Sequence, residues 1–214
     1  MKIICVANEK GGTGKSTVAI NIGLMATDEN LRVLFVDADP QASGFSFYER
    51  RQENENLKSF QMVMKPSKSL HRDIEDLSKG FDLVIIDVGG RDSKIFRSAV
   101  LSSTHVIIPT QPSQFDLWSL ANTLEILEEA RVFKPIKAKV LLNMVPARAK
   151  LTEDTIATIK DEEIPCFSTT LGFRIAFREA ITQGLGVVEY EPKGKAALEI
   201  KNLWEELKAW LDLK

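Results

Sequence analysis

Cysteine is scarce in this chain, two among 214 residues, and neither Cys5 nor Cys166 belongs to a CxxC pair or a metal-ligand spacing. That excludes a disulfide-stapled fold and argues against a thiolate-held iron-sulfur cluster between subunits. Both are expected as buried thiols inside strands. Long apolar runs are also missing: none approaches the ~18 residues that span a bilayer, so a cytoplasmic protein is expected. Neither sign of charge dominates, since 28 Lys and Arg against 30 Asp and Glu leave a net charge of -2. Nucleic acid would therefore have to be met by a local patch. No stretch has linker, repeat or low-complexity composition, and the length suits one well-buried domain spanning 1–214. The first apolar run starts almost at Met1, which leaves no room for a signal peptide or an N-terminal helix-turn-helix domain.

What is present alternates. Short apolar runs predict strands over 2–7, 32–37, 60–64, 81–87, 104–109, 138–143 and 166–170. Helical spacing between and after them predicts helices over 16–28, 43–52, 68–79, 92–102, 114–132, 152–161, 174–183 and 194–213. Continuous apolar strands such as Leu83 to Ile86 suit a sheet buried on both faces. The expected fold is α/β: a mostly parallel central sheet with helices on both faces and ligands at the carboxyl ends of the strands.

Residues 9 to 16 read Glu-Lys-Gly-Gly-Thr-Gly-Lys-Ser. The general phosphate-loop pattern wants glycine where Glu9 stands, yet what remains, K-G-G-x-G-K-[ST], is stricter. Gly11, Gly12 and Gly14 let the backbone curl and aim several N–H groups at a phosphate. Lys15 reaches the β and γ oxygens and Ser16 is a Mg²⁺ ligand. Thr13 and Thr17 complete the cofactor-binding set. The loop lies between a predicted strand and a helix N-terminus, where anions are favoured.

At these residues the chain resembles the ParA/MinD family of deviant Walker A ATPases, most closely the short ParA-type partition ATPases. The resemblance implies that the extra lysine, Lys10, crosses an ATP-sandwich homodimer to the partner's phosphates, as an arginine finger would. It also assigns catalysis to Lys10, Lys15 and Asp39. Asp37-Ala38-Asp39-Pro40-Gln41 matches the family's D-x-D-P-Q switch I motif, whose second aspartate is linked to water activation. Asp37 is then a structural group or an indirect support for the metal.

Phe81 to Asp87 is a strand ending in an aspartate, the Walker B arrangement, so the Mg²⁺ set is Ser16, Asp39 and Asp87. Gly89-Gly90-Arg91 follows where switch II should lie and where family members often carry proline; Arg91 suits a phosphate, the dimer partner or solvent. Asn143, at the end of strand 138–143, resembles the family's adenine-contacting residue, and capping of the strand's exit loop competes almost equally.

Arg131 to Lys150 holds six cations and no acid. Arg174, Arg178, Lys193 and Lys195 flank the later helices. Clustered cations neutralise DNA phosphates without reading sequence, although a solvated basic face is the usual explanation for such runs. The resemblance implies nonspecific DNA binding through Arg174, Arg178 and Lys195, nucleoid association in the ATP state, and a centromere- or cargo-binding, ParB-like adaptor that stimulates hydrolysis.

The last helix carries an apolar stripe from Ile200 to Leu211. In MinD-like relatives such a helix lies on membrane, the main rival reading. Its polar face mixes both signs, which favours packing on the sheet. A metabolic P-loop phosphotransferase is the third class.

Overall fold

The computed structural model describes residues 1–91, 93–146, 157, 159 and 164–213. Six strands form one sheet: β1 (Lys2–Val6), β2 (Val33–Asp37), β3 (Gln61–Met64), β4 (Leu83–Asp87), β5 (His105–Thr110) and β6 (Lys137–Leu142). They lie in the order β3-β2-β4-β1-β5-β6, and every pairing is parallel. The order reverses beside β1, so the loop after β1 opens at the crevice where such sheets take ligands.

Alternation along each strand divides the core in two. Ile4, Val6, Phe35, Leu83, Ile85 and Leu141 face one side. There they meet α1 (Lys15–Asp28), α2 (Ser43–Gln52), α6 (Ile175–Thr182), α7 (Val187–Tyr190) and α8 (Lys195–Leu211). Ile3, Cys5, Leu34, Val36, Val84, Ile86 and Leu142 face the other, against α3 (Leu70–Leu77), α4 (Lys94–Ser102) and α5 (Gln114–Arg131). Both faces need apolar residues, which is why the central strands carry no polar alternation.

Segment 166–170 corrects the sequence reading. It is no strand: its pairing with β6 at Cys166 is an isolated parallel bridge to Val140. The backbone still follows β6, with Phe167 N donating to Val140 O and Leu171 N to Leu142 O. The contacts are too widely spaced for a ladder. Cys166 is accordingly half-buried, while Cys5 is fully buried as expected. The helix expected over 152–161 lies, apart from 157 and 159, outside the described residues. The short α7 had no sequence expectation.

The terminal stripe is already covered. Ile200, Leu203, Trp204, Leu207 and Leu211 of α8 are buried in the first core layer, and no helix among the described residues is long and apolar enough to cross a membrane. On the same helix, Trp210 meets the His105 ring edge-on at 4.7 Å. Burial, reinforced by the cations of Lys2 and Lys137, lowers the His105 pKa from 6.5 to about 4, with Asp212 opposing. The unfolded chain therefore takes up a proton near pH 6.5 that the native chain refuses. The native advantage is complete above that pH and is lost as the pH falls toward 4. Between pH 7 and pH 5 thermal unfolding should lose on the order of 1 kcal/mol, a Tm shift of about 2–4 °C. A His105→Phe variant, which keeps an aromatic ring against Trp210, should show a smaller loss over that range; an equal loss would remove His105 as the cause.

Candidate functional site

The loop after β1 is held open by its own backbone. Gly14, the residue before α1, has φ +84°, and a Cβ there would lie 2.4 Å from Nδ2 of Asn143. Left-handed geometry and lack of space both demand glycine. The loop and α1 then line a cleft of about 900 Å³ with Ala38 to Gln41 of the β2 exit and Val88 to Arg91 of the β4 exit. Gly11, Gly12, Gly14, Lys15, Ser16, Thr17 and Asp39 all line it. Thr13 does not; its side chain is buried and its hydroxyl has no hydrogen-bond partner.

Two lysines of one loop point to different places. Lys15 lines the cleft, where its Nζ donates to the carbonyl of Lys10 at 2.9 Å. Burial lowers its pKa, and the carboxylates of Asp87 and Asp39 oppose that shift. Lys10 lines an adjoining, shallower groove instead. Its Nζ is 2.7 Å from Oδ2 of Asp116, on the first turn of α5, whose carboxylate is 1% exposed while Lys10 is 35% exposed. Ser113, the residue before α5, hydrogen-bonds the same oxygen and accepts from Asp116 N at 3.2 Å. Asn8 completes the mount: its Oδ1 accepts from Lys10 N and from Ser119 Oγ.

The acidic residues separate into three roles. Asp37 and Asp87 stand side by side at the ends of paired strands β2 and β4. Asp37 is buried and accepts from the backbone N–H groups of Asp39 and Phe45, which fastens the β2 exit to α2. Burial still raises its pKa. Asp39 stands in the cleft, its Oδ1 accepting from Gln41 N at 2.9 Å.

Asp87 is buried, and both of its carboxylate oxygens lack a partner in hydrogen-bond geometry. Burial pushes its pKa up to about 7; the nearby Ser16 hydroxyl and Lys15 lower it, while Asp37 and Asp39 raise it further. Such an orphaned carboxylate, beside a serine hydroxyl and the cleft, fits a divalent cation or its water shell. No cluster of three or more His, Cys, Asp or Glu among the described residues could cage a metal alone. The donor set suits Mg²⁺, which prefers one or two protein oxygens together with phosphates and waters.

The β4 exit is braced against the loop. A Cβ at Gly90 would meet the Glu9 carbonyl at 2.8 Å. Arg91 has φ +81° and donates its N–H to that same carbonyl. Arg91 lines both the cleft and the groove that holds Lys10.

Asn143 is buried just beyond β6, with Nδ2 donating to Thr13 O at 2.7 Å and Oδ1 accepting from Met144 N. Both ends of its amide are engaged, so here it ties the phosphate loop to the β6 exit. Gln111 Nε2 adds a bond to Gly12 O.

The three residues assigned to DNA do not share one state. Arg174 is forked onto Glu199, so its charge is neutralised within the chain. Arg178 is exposed with its guanidinium 5.2 Å from the Phe173 ring centre, and Lys195 is exposed at the start of α8. In the earlier basic run Arg131 pairs with Glu128, and Lys139 with Glu206. Arg148 and Lys150 lie outside the described residues.

Asp116, Asn8 and Gln111 were missed from sequence. Ser113-x-x-Asp116 was visible as a capping pattern. Nothing in the order of residues tied Asp116 to a lysine 106 positions away.

The family model described as the CobQ/CobB/MinD/ParA nucleotide binding domain matches residues 4–187. Among curated proteins, the "Maintenance of carboxysome distribution protein A" of Halothiobacillus neapolitanus is 28% identical over 207 residues, 95% of each chain. The "Sporulation initiation inhibitor protein Soj" of Bacillus subtilis is 26% identical, covering 97% of this chain and 98% of that one. Among solved structures, an ATP complex of Cyanothece McdA superposes with TM-score 0.81 at 20% identity, over 100% of this chain and 97% of that one. A glycine-built cleft at the sheet's switch point, lined by Lys15 and Ser16 with the unpartnered Asp87 buried beside them, agrees with the match over most of its length, and the chain belongs to the CobQ/CobB/MinD/ParA nucleotide-binding family.

Proposed function

We propose that this chain is a ParA-type ATPase that binds ATP·Mg²⁺, closes into a sandwich homodimer, holds nonspecific DNA in that state and lets go after hydrolysis, positioning a cargo along the nucleoid. One observation carries the assembly step: Lys15 lines its own cleft, whereas Lys10, from the same loop, lines the groove outside it. A cation that does not serve its own phosphates becomes available to a second copy's once Asp116 releases it.

Within the cleft, the backbone of Gly11 to Ser16 and the Lys15 ammonium cradle the β and γ phosphates. Ser16, Asp39 and Asp87 would hold Mg²⁺, which supplies charge neutralisation on the phosphates when bound. Asp39 orients a water in line with the γ phosphorus. Switch II, braced on the Glu9 carbonyl, senses whether that phosphate is present. Asn143 holds the loop in register and reaches an adenine edge only by giving up one of its present bonds.

The relative named for carboxysome distribution supports cargo positioning as a class. Of the three cations assigned to DNA, Arg178 and Lys195 are exposed, and Arg174 contributes only if Glu199 releases it. A ParB-like adaptor completes the cycle by stimulating hydrolysis.

Cosedimentation separates this reading from a membrane one. DNA should pellet the chain with ATP and not with ADP, and binding should fall steeply between 50 and 200 mM salt, about one to three decades for a few phosphate contacts. Arg178→Glu with Lys195→Glu should remove it. ATP-dependent pelleting with anionic liposomes and none with DNA would overturn the proposal in favour of a membrane-surface ATPase.

A further inference from the structure

Beside Lys10 the surface carries two large rings without cover. Phe115 is 70% exposed and Trp118 is 60% exposed, and their rings meet edge-on with centroids 5.4 Å apart. They lie at i and i+3 on the first turns of α5, so they share one helix face. The residue between them that matters is Asp116, which faces inward and holds Lys10. One helix turn therefore grips the lysine and displays the aromatics.

We propose that Phe115 and Trp118 form the aromatic anchor of the ATP-dependent interface with a second copy of this chain; the inference rests on the sandwich-dimer reading above. Continuity selects that occupant. Glu9, Lys10, Arg91, Phe115 and Trp118 line a single groove, and Arg91 lines the nucleotide cleft as well. A second copy that receives Lys10 at its phosphates must descend on the surface around Lys10, and the two rings are part of that surface. In a two-fold assembly the same patch is used twice, so each copy contributes a pair. Glu9, Lys10 and Arg91 line the groove and Asp116 lies under Lys10, so the two signs balance and the patch can face itself without net repulsion.

Nucleotide control follows from the same contacts. Arg91 is bonded through its N–H to the Glu9 carbonyl, one residue from Lys10. Movement of switch II on binding the γ phosphate is thereby transmitted to the floor of the groove. Exposed tryptophan beside a charged rim is also the composition that dominates interface energetics.

Trp118 is its own reporter, since Trp204 is buried and Trp210 is half-buried against His105 and Phe167. Full-length protein would be titrated with a non-hydrolysable ATP analogue and Mg²⁺, following sedimentation velocity and acrylamide quenching of tryptophan emission. On dimerisation the quenchable emission should fall, and a Trp118→Phe variant should lack that change. Trp118→Ala and Phe115→Ala should each raise the dimer dissociation constant at least about tenfold. Analogue affinity at concentrations too low for dimers should stay within about twofold, with unchanged circular dichroism. Dimers that form in the wild type, depend on Lys10 and are indifferent to both ring deletions would overturn the inference and leave the ATPase reading standing. Dimers in which Trp118 stays fully quenchable would do the same and assign the rings to some other partner. Absence of any nucleotide-dependent dimer in the wild type would instead strike the sandwich reading itself, and the inference with it.

Discussion

Lys10→Ala is expected to abolish adaptor-stimulated hydrolysis and ATP-dependent dimerisation while the monomer still binds ATP. A second cation on a transferring phosphoryl group contributes about 10³ to 10⁵ in rate, and that is the expected loss. The structure adds a complication that the sequence does not contain. Lys10 is also the counter-ion of Asp116, a carboxylate 1% exposed whose other oxygen has no partner. Removing the lysine alone leaves that charge buried, at a cost on the order of 1–3 kcal/mol. Lost activity in the single variant could then reflect a disturbed α5 rather than a missing trans cation.

The combination Lys10→Ala with Asp116→Asn resolves this. It removes the orphaned charge, and Ser113 can still hydrogen-bond the amide. Its melting temperature should recover toward the wild type while hydrolysis and dimerisation stay lost. Recovery of stimulated turnover in the double variant would refute the trans role of Lys10.

Asp39→Ala is the second large effect, with opposite consequences for assembly. Asp39 accepts a hydrogen bond from Gln41 N at the cleft wall, an interaction whose loss leaves the buried core intact. The variant should fold, bind ATP and dimerise. Without a carboxylate to orient water, turnover should fall by at least about 10²-fold, the lower range for a positioned acid–base group. An ATP-loaded dimer should accumulate on DNA, with slow release visible when competitor DNA is added. Continued turnover at the wild-type rate would take Asp39 out of catalysis. Asp37 would be a misleading substitute, because it is buried and receives two backbone N–H groups, so its loss damages the fold.

Much of the site was legible because its chemistry is local. Glycines, a lysine and a serine at fixed spacing between a strand and a helix specify a phosphate cradle whatever surrounds them. Asp39 and Asp87 were readable for the same reason: Asp87 ends β4 and Asp39 follows the end of β2 by two residues, at the same edge of a parallel sheet. The failures came where the deciding partner is distant in sequence. Segment 166–170 has the residues of a strand, yet its contacts to β6 are an isolated bridge and a few separate hydrogen bonds. Arg174 looked available in a basic run until Glu199, on another helix, proved to hold it.

The order of amino acids alone determined the parallel α/β sheet, the phosphate loop and the identity of the unusual cation, since hydrophobic period and backbone freedom act over a few residues. Only the tertiary structure decided where that cation rests, that Asn143 is committed to the loop, and that α8 spends its apolar face on the sheet rather than on a bilayer. Those outcomes depend on which buried charge or apolar face lies opposite. The folding of distant segments onto one sheet sets that opposition.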